Sequence, residues 1–286
     1  MAGRRTLARE VTATGVALHA GVASKMKLCP AAAGTGIVFR RSDFVAAAPI
    51  PALWSSVSDT RLGTVLKGAD DASVAVVEHL LAAFAGACID DCLVEVNGPE
   101  LPAMEGDALS FLELVDQAGT REQAGSRESI RVLKPVEVEA GQARARLLPA
   151  ARFEISCEID FQSRVIGRQS FELAVTEESF RREIAPARTF GFLDEGEKLQ
   201  AMGYGRGASL ENTLVIDKDR LVNPGLQRFP DEFVRHKILD AIGDMMLAGA
   251  PLIARYEGRR PNHSLNNALL RALFADASNY ELQPSP

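Results

Sequence analysis

The sequence predicts an α+β protein of two similar domains, each a β-sheet layered with α-helices, the helices packed together between the two sheets. Three observations carry this. Short turn-bounded segments of strand character occur near 11–41 and again near 130–161, and segments of helical period follow each group. A polar stretch poor in large apolar residues, "GTREQAGSRES" at 119–129, stands between the groups as a linker. The length, 286 residues of which 47% are hydrophobic and 24% charged, suits one large or two medium domains. The expected domains run from 1 to 122 and from 128 to 286.

Taken in order, "VTATGVALHA" and "SKMKLCP" alternate moderately, and "GIVFRR" is bounded by glycine and charge, so all three read as strands. "DASVAVVEHLLAAFAGACI" reads as the first helix, with Ser73 as N-cap, Leu80, Leu81 and Phe84 giving the period, and Gly86 as the stop. "CLVEVNG" is a short strand and "ALSFLELVDQAG" a second helix. Beyond the linker come strands in "IRVLKPVEVEAG", "ARARLLP" and "RFEISCEIDF", then a helix around 176–184. "DEFVRHKILDAIGDMML" at 231–247 and "SLNNALLRALFADA" supply the last two helices.

Composition narrows the function. A net charge of −6 argues against a nucleic-acid surface, while a local basic cluster for a phosphorylated small molecule stays compatible with it. The start "MAGRRTLAREVTATG" has charges but no apolar run after them, so it does not read as a secretory signal. No apolar stretch approaches the length of a membrane span. Cys29, Cys88, Cys92 and Cys157 show no CxxC spacing and read as reduced, mostly buried thiols of a cytoplasmic protein.

The chemistry lies in four histidines: His19, His79, His236 and His263. Glu78 and His79 stand mid-helix in "VVEHLLAA", where an apolar helix favours Val or Leu. His236, Asp240 and Asp244 recur every four residues, which stacks them on one helix face with a drift of about 40° per step. Two imidazoles and a carboxylate, His79, His236 and Asp240, leave a fourth tetrahedral position open, the pattern of a catalytic zinc. Glu78 is then the neighbouring carboxylate, either supporting a ligand from outside the coordination sphere or acting as general base, by the logic of HExxH. From spacing alone, a His-x-x-x-Asp pair on a helix is more often a surface salt bridge or a capped core histidine. Apolar surroundings favour the metal, since a buried charge needs a partner.

"VVEHLLAAFAG", "NGPELPAMEGDALSF", "APARTFGF", "DEFVRHKILDAIGD" and "HSLNNALLRAL" together resemble the successive motifs of the UDP-3-O-acyl-N-acetylglucosamine deacetylase family, the zinc amidases of the committed step of lipid A biosynthesis. The likeness runs from "GVALHAG" to the last helix. It implies one Zn2+ per chain, or Fe2+ in the cell, held by His79, His236 and Asp240, and a metal-activated water with Glu78 as general base. His263 is implied as general acid and, with the Thr189 hydroxyl, as oxyanion donor, and Asp244 holds His263 cationic. The implied partner is a UDP-linked acylated glucosamine acted on by a monomer. Phe161 would stack the uracil beside Asp160, and Lys237 would meet the diphosphate. His19 would face the substrate, and Phe190, Leu193 and Val215 would line an acyl passage in an insert at 188–215. From the residues themselves, Phe161 also reads as a core aromatic and Lys237 as a solvated lysine.

Two stretches depart from the family pattern. Arg260-Pro261-Asn262-His263 stands where lysine, a small residue and glycine usually precede the histidine, so Arg260 keeps a phosphate-pairing charge on a different backbone. Gly196 replaces an aliphatic residue and "GYGRGAS" is glycine-rich, which implies an altered chain-length preference or a more mobile insert. Two other functions fit the same residues: a same-fold metal hydrolase for another acylated amine, and a nucleotide-sugar or acyl-chain binder without activity.

Overall fold

The computed structural model describes residues 3–44 and 48–285. Its helices are α1 (Glu78–Gly86), α2 (Leu109–Ala118), α3 (Glu177–Ser179, running on into a π-helical turn, Phe180–Ile184), α4 (Leu193–Ala201), α5 (Glu232–Met246) and α6 (His263–Phe274). The first half carries a five-stranded sheet in the order Val11–Val16, Ala23–Pro30, Cys92–Val96, Ile37–Arg41, Ile50–Pro51. Alternation along Ala23–Pro30 turns Ser24, Met26 and Leu28 inward and leaves Lys25 in solvent. The second half carries a seven-stranded sheet whose hub is Leu252–Arg259, paired with Glu128–Val132, Ala143–Pro149 and Glu154–Asp160. This is the α+β architecture that the sequence predicts.

The helices of the two halves meet each other. α5 packs along α1, α6 and the strand Glu154–Asp160, burying Phe233, Ile238, Leu239 and Ile242. α1 is buried almost throughout its length. A helix apolar on all sides is stable only where protein surrounds it, so these two form the centre of the molecule.

Two expectations are corrected. The polar stretch after α2 is no free linker: Thr120–Ser126 pairs antiparallel with Gly3–Leu7. Its side chains are nearly all exposed, so only the backbone ladder ties it down and its composition carries no burial signal. The first helix is also shorter than expected. Ser73 caps nothing, because Ser73–Ala75 is a strand paired with Val65–Lys67, as the β-branched run "SVAVV" favours. Val76 then turns through a left-handed φ of 57° and the helix starts at Glu78. Cys88, also left-handed, follows its end. Gly86 serves packing instead: a Cβ there would overlap the Phe180 ring.

Another small sheet (Phe190–Phe192, Leu214–Asp217, Arg220–Leu221) lies with α4 in and just beyond the segment expected as the insert. All four cysteines are free, and Cys92 and Cys157 are buried. No helix among the described residues is long and apolar enough to cross a membrane.

α1 and α5 approach each other closely at Gly243, where a Cβ would overlap the carbonyl oxygen of Glu78. Gly243→Ala should push the helices apart, cost about 1–3 kcal/mol by overpacking, and lower metal content; thermal melting and metal analysis check both. Gly196, by contrast, has nothing within 4 Å of a Cβ. Gly196→Ala should stabilise α4 by about 0.5–1 kcal/mol and raise the melting temperature.

Candidate active site

α1 and α5 bring three separated residues together. His79 Nε2 lies 3.5 Å, and His236 Nε2 3.3 Å, from the same oxygen, Asp240 Oδ1. The imidazole rings stand nearly perpendicular with centroids 4.9 Å apart. One ligand atom from each residue falls within 4.8 Å of the others, and all three residues are buried. Asp240 Oδ1 has no hydrogen-bond partner among the described residues. A buried carboxylate oxygen left unpaired costs roughly 1–3 kcal/mol, and a cation removes that cost.

The surroundings prepare the donors. His236 Nδ1 donates to the carbonyl of Ala187 at 3.1 Å, which leaves the Nε2 lone pair facing Asp240. Burial pushes His236 down to about 3, so it is the neutral imidazole that metals bind. Burial works against a charge on Asp240, but His236 and Lys237 hold its carboxyl well below the ordinary range. Lys237 Nζ donates to Asp240 Oδ2 at 2.8 Å, which uses one of the three N–H groups of the ammonium. Two imidazole nitrogens and one carboxylate oxygen fit a divalent cation of the zinc type.

Beside this cluster stands a second one. Glu78 Oε1 is 3.7 Å from His263 Nε2, and His263 Nδ1 donates to Asp244 Oδ2 at 2.8 Å. Burial raises the Glu78 carboxyl, against the pull of His263 and His79. Burial opposes a charge on His263, yet Asp244 and Glu78 outweigh it and raise the imidazole to about 10. Asn262 caps α6 by accepting from Leu265 N–H at 2.9 Å, which sets His263 at the first helical position and explains the asparagine of the departing loop. Four residues here lie outside the sequence prediction. Thr64, Asn266 and Tyr256 bond to the cluster or to one another, and Ala187 contributes only its carbonyl. Asn266 carried a signal, as a buried polar residue on an apolar helix; Thr64, in an irregular loop, carried none.

The other expected residues lie around these clusters. The segment holding Ala187, Thr189 and Phe190 runs past His236, with Phe190 6.3 Å from its ring. Thr189 is fixed through its backbone to Gly106 and Leu214. Phe161 packs edge-on against Phe190 at 5.7 Å and near Phe192 at 6.0 Å, so the aromatic at the strand end and the insert touch. Arg260 pairs with Asp160 at 2.7 Å and donates to Gln142. Leu193 is exposed at the start of α4, and Val215 lies half-buried in the insert's sheet.

His19 is a clamp. Its Nε2 donates to the Leu62 carbonyl at 2.7 Å and its Nδ1 accepts from Gly205 N–H at 3.3 Å. The insert's glycines make this docking possible. Gly203 and Gly205 have left-handed φ of 91° and 66°, and a Cβ on Gly207 would overlap the Ala17 carbonyl. The same turn borders a cavity of 240 Å³ that also reaches Tyr204, Glu100 and Gly63.

Residues 4–275 match the family of UDP-3-O-acyl N-acetylglycosamine deacetylases (LpxC). This chain belongs to that family. It is 48% identical to the UDP-3-O-acyl-N-acetylglucosamine deacetylase of Myxococcus xanthus, with 99% of this chain and 90% of the relative covered. It is 49% identical to that of Phenylobacterium zucineum, covering 91% and 89%, and 45% identical to that of Brucella melitensis, covering 98% of each. In this family setting, the histidine and carboxylate clusters described above are the deacetylase candidates.

The His263 shift has a stability consequence. Its folded value, about 10, lies above the ordinary 6.5, so the folded state holds the proton more tightly. The contribution is fully present below pH 6.5 and declines as pH rises towards 10. Thermal unfolding of the metal-free protein should therefore show falling stability across this window, with a shallower fall in His263→Gln.

Proposed function

We propose that this chain hydrolyses the N-acetyl group of a UDP-linked 3-O-acyl-N-acetylglucosamine, releasing acetate and a free amine, with a divalent metal at His79, His236 and Asp240. The observation that carries this reading is the unpaired Oδ1 of Asp240 facing two imidazoles, next to a carboxylate and a second histidine. Zn2+ or Fe2+ bound there supplies Lewis acidity, acidifying water and polarising the acetamide carbonyl.

The residues do the rest. Glu78, raised by burial, takes a proton from the attacking water as its oxygen adds to the carbonyl carbon. His263, protonated through its contact with Asp244, and the Thr189 hydroxyl donate to the developing oxyanion. The C–N bond then breaks, and His263 Nε2 delivers a proton to the departing amine nitrogen. Asp244 keeps Nδ1 protonated throughout, so Nε2 is the nitrogen that gains and loses the proton.

For the rest of the substrate, Phe161 and Asp160 take the uracil end and Lys237 and Arg260 the diphosphate. A diphosphate would compete with Asp160 for Arg260, a planar donor suited to phosphate oxygens. His19 faces the sugar, and Phe190, Leu193 and Val215 take the acyl chain. In the family this is the committed step of lipid A biosynthesis.

Turnover of UDP-3-O-(3-hydroxyacyl)-N-acetylglucosamine, read as acetate release, tests the activity; failure of UDP to compete would redirect it to another acylated amine. Glu78→Gln should lower kcat by about 10²–10⁴-fold with metal retained near one per chain. His79→Ala and Asp240→Ala should lose the metal. Kinetics paired with metal analysis separates these outcomes, and metal loss in Glu78→Gln would make Glu78 a ligand.

A further inference from the structure

Thr64 touches both halves of the acid–base pair. Its backbone N–H donates to Glu78 Oε2 at 3.0 Å, and its hydroxyl donates to Asp244 Oδ1 at 2.6 Å. The same hydroxyl lies 3.4 Å from His263 Nδ1. On the other side, Asn266 Nδ2 donates to Asp244 Oδ2 at 2.8 Å, and Tyr256 OH donates to Asn266 Oδ1 at 2.6 Å. Tyr256, Asn266, Asp244 and Thr64 are all at most 2% exposed.

The direction of this chain is forced. An ionised carboxylate only accepts, so Asn266 must turn its NH2 to Asp244 and its oxygen to Tyr256, whose hydroxyl must then be the donor. Asp244 thus receives three donors: the Thr64 hydroxyl, the Asn266 amide and the His263 ring. Each donor draws on the same negative charge. A carboxylate bonded only to the imidazolium would hold its proton harder and give a poorer acid.

We propose that Thr64 and Asn266, the latter oriented by Tyr256, are positioning residues that temper Asp244's hold on His263 and keep Glu78 and His263 in register. This rests on the function proposed above for His263. The charged or titratable groups facing its imidazole are Asp244, Glu78 and, further off, Asp240, with Tyr256 behind Asn266. Gly63, beside Thr64, leaves room for the base, since a Cβ there would lie 2.9 Å from Glu78 Oε1. The loop is pinned from outside where Leu62 accepts from His19.

The test uses the metal-loaded full chain. Thr64→Val removes the hydroxyl and keeps the backbone N–H to Glu78; Thr64→Ser restores a hydroxyl. Thr64→Val should lose about 10- to 100-fold in kcat with KM and metal content unchanged, and Thr64→Ser should recover most of it. Nitrogen NMR of His263 should show its Nε2 titration midpoint moved upward in Thr64→Val and returned in Thr64→Ser. Tyr256→Phe, which removes one oxygen, should move kcat and midpoint the same way by less, and it serves if Thr64→Val does not fold. A parent-like kcat and an unmoved midpoint in these variants would overturn the proposal, as would a loss confined to KM or metal. If the parent protein does not turn over the UDP-sugar, the proposed function fails, while the midpoint shift still decides the roles of Thr64 and Asn266.

Discussion

The site depends on a helix crossing with no side chain in between. Gly243 lets α5 lie against the backbone of α1 at Glu78, and the neighbouring residues inherit their positions from that contact. On α1, Glu78 and His79 diverge by about 100°, so one faces His263 and the other Asp240. On α5, the four-residue spacing drifts slowly around the helix. His236 and Asp240 therefore meet His79, and Asp244, one turn on, meets His263. A single crossing distributes one row of polar residues over two clusters.

Buried charge around this crossing is almost fully answered. Glu232 at the start of α5 accepts from the backbone N–H groups of Arg188, Arg228 and Phe229, fixing the segment that carries Ala187 to the helix that carries His236. Arg188 and Arg228 in turn pair with Glu105, and Arg228 also with Asp107, tying the two halves together. Against that background Asp240 Oδ1 and, on the neighbouring segment, Arg188 Nε are left without a hydrogen-bond partner among the described residues. An unpaired carboxylate oxygen facing two imidazoles is an arrangement that a cation would complete.

The glycines of the insert have a packing role. Glycines in "GYGRGAS" suggest looseness, yet they let the chain reach the His19 turn closely enough for backbone hydrogen bonds to Leu18 and His19. His19 then bridges the insert to Leu62, two residues before Thr64. The acyl-passage candidates and the Glu78–His263 pair are thus joined through one imidazole.

Helical period and residue type are local properties, and on them the sequence alone determined a good deal. It marked α5 and α6, the Glu78-His79 pair, the His236-Asp240-Asp244 row, and an α+β order repeated in two halves. It misjudged the strand 73–75 and the ribbon 120–126, because backbone pairing with a distant strand leaves little trace in side-chain pattern. Only the tertiary structure decided that α1 and α5 cross at Gly243, that Lys237 turns to Asp240, and that Thr64 and Asn266 converge on Asp244. These are contacts between residues far apart in the chain, set by how whole elements pack, and no spacing within one segment encodes them.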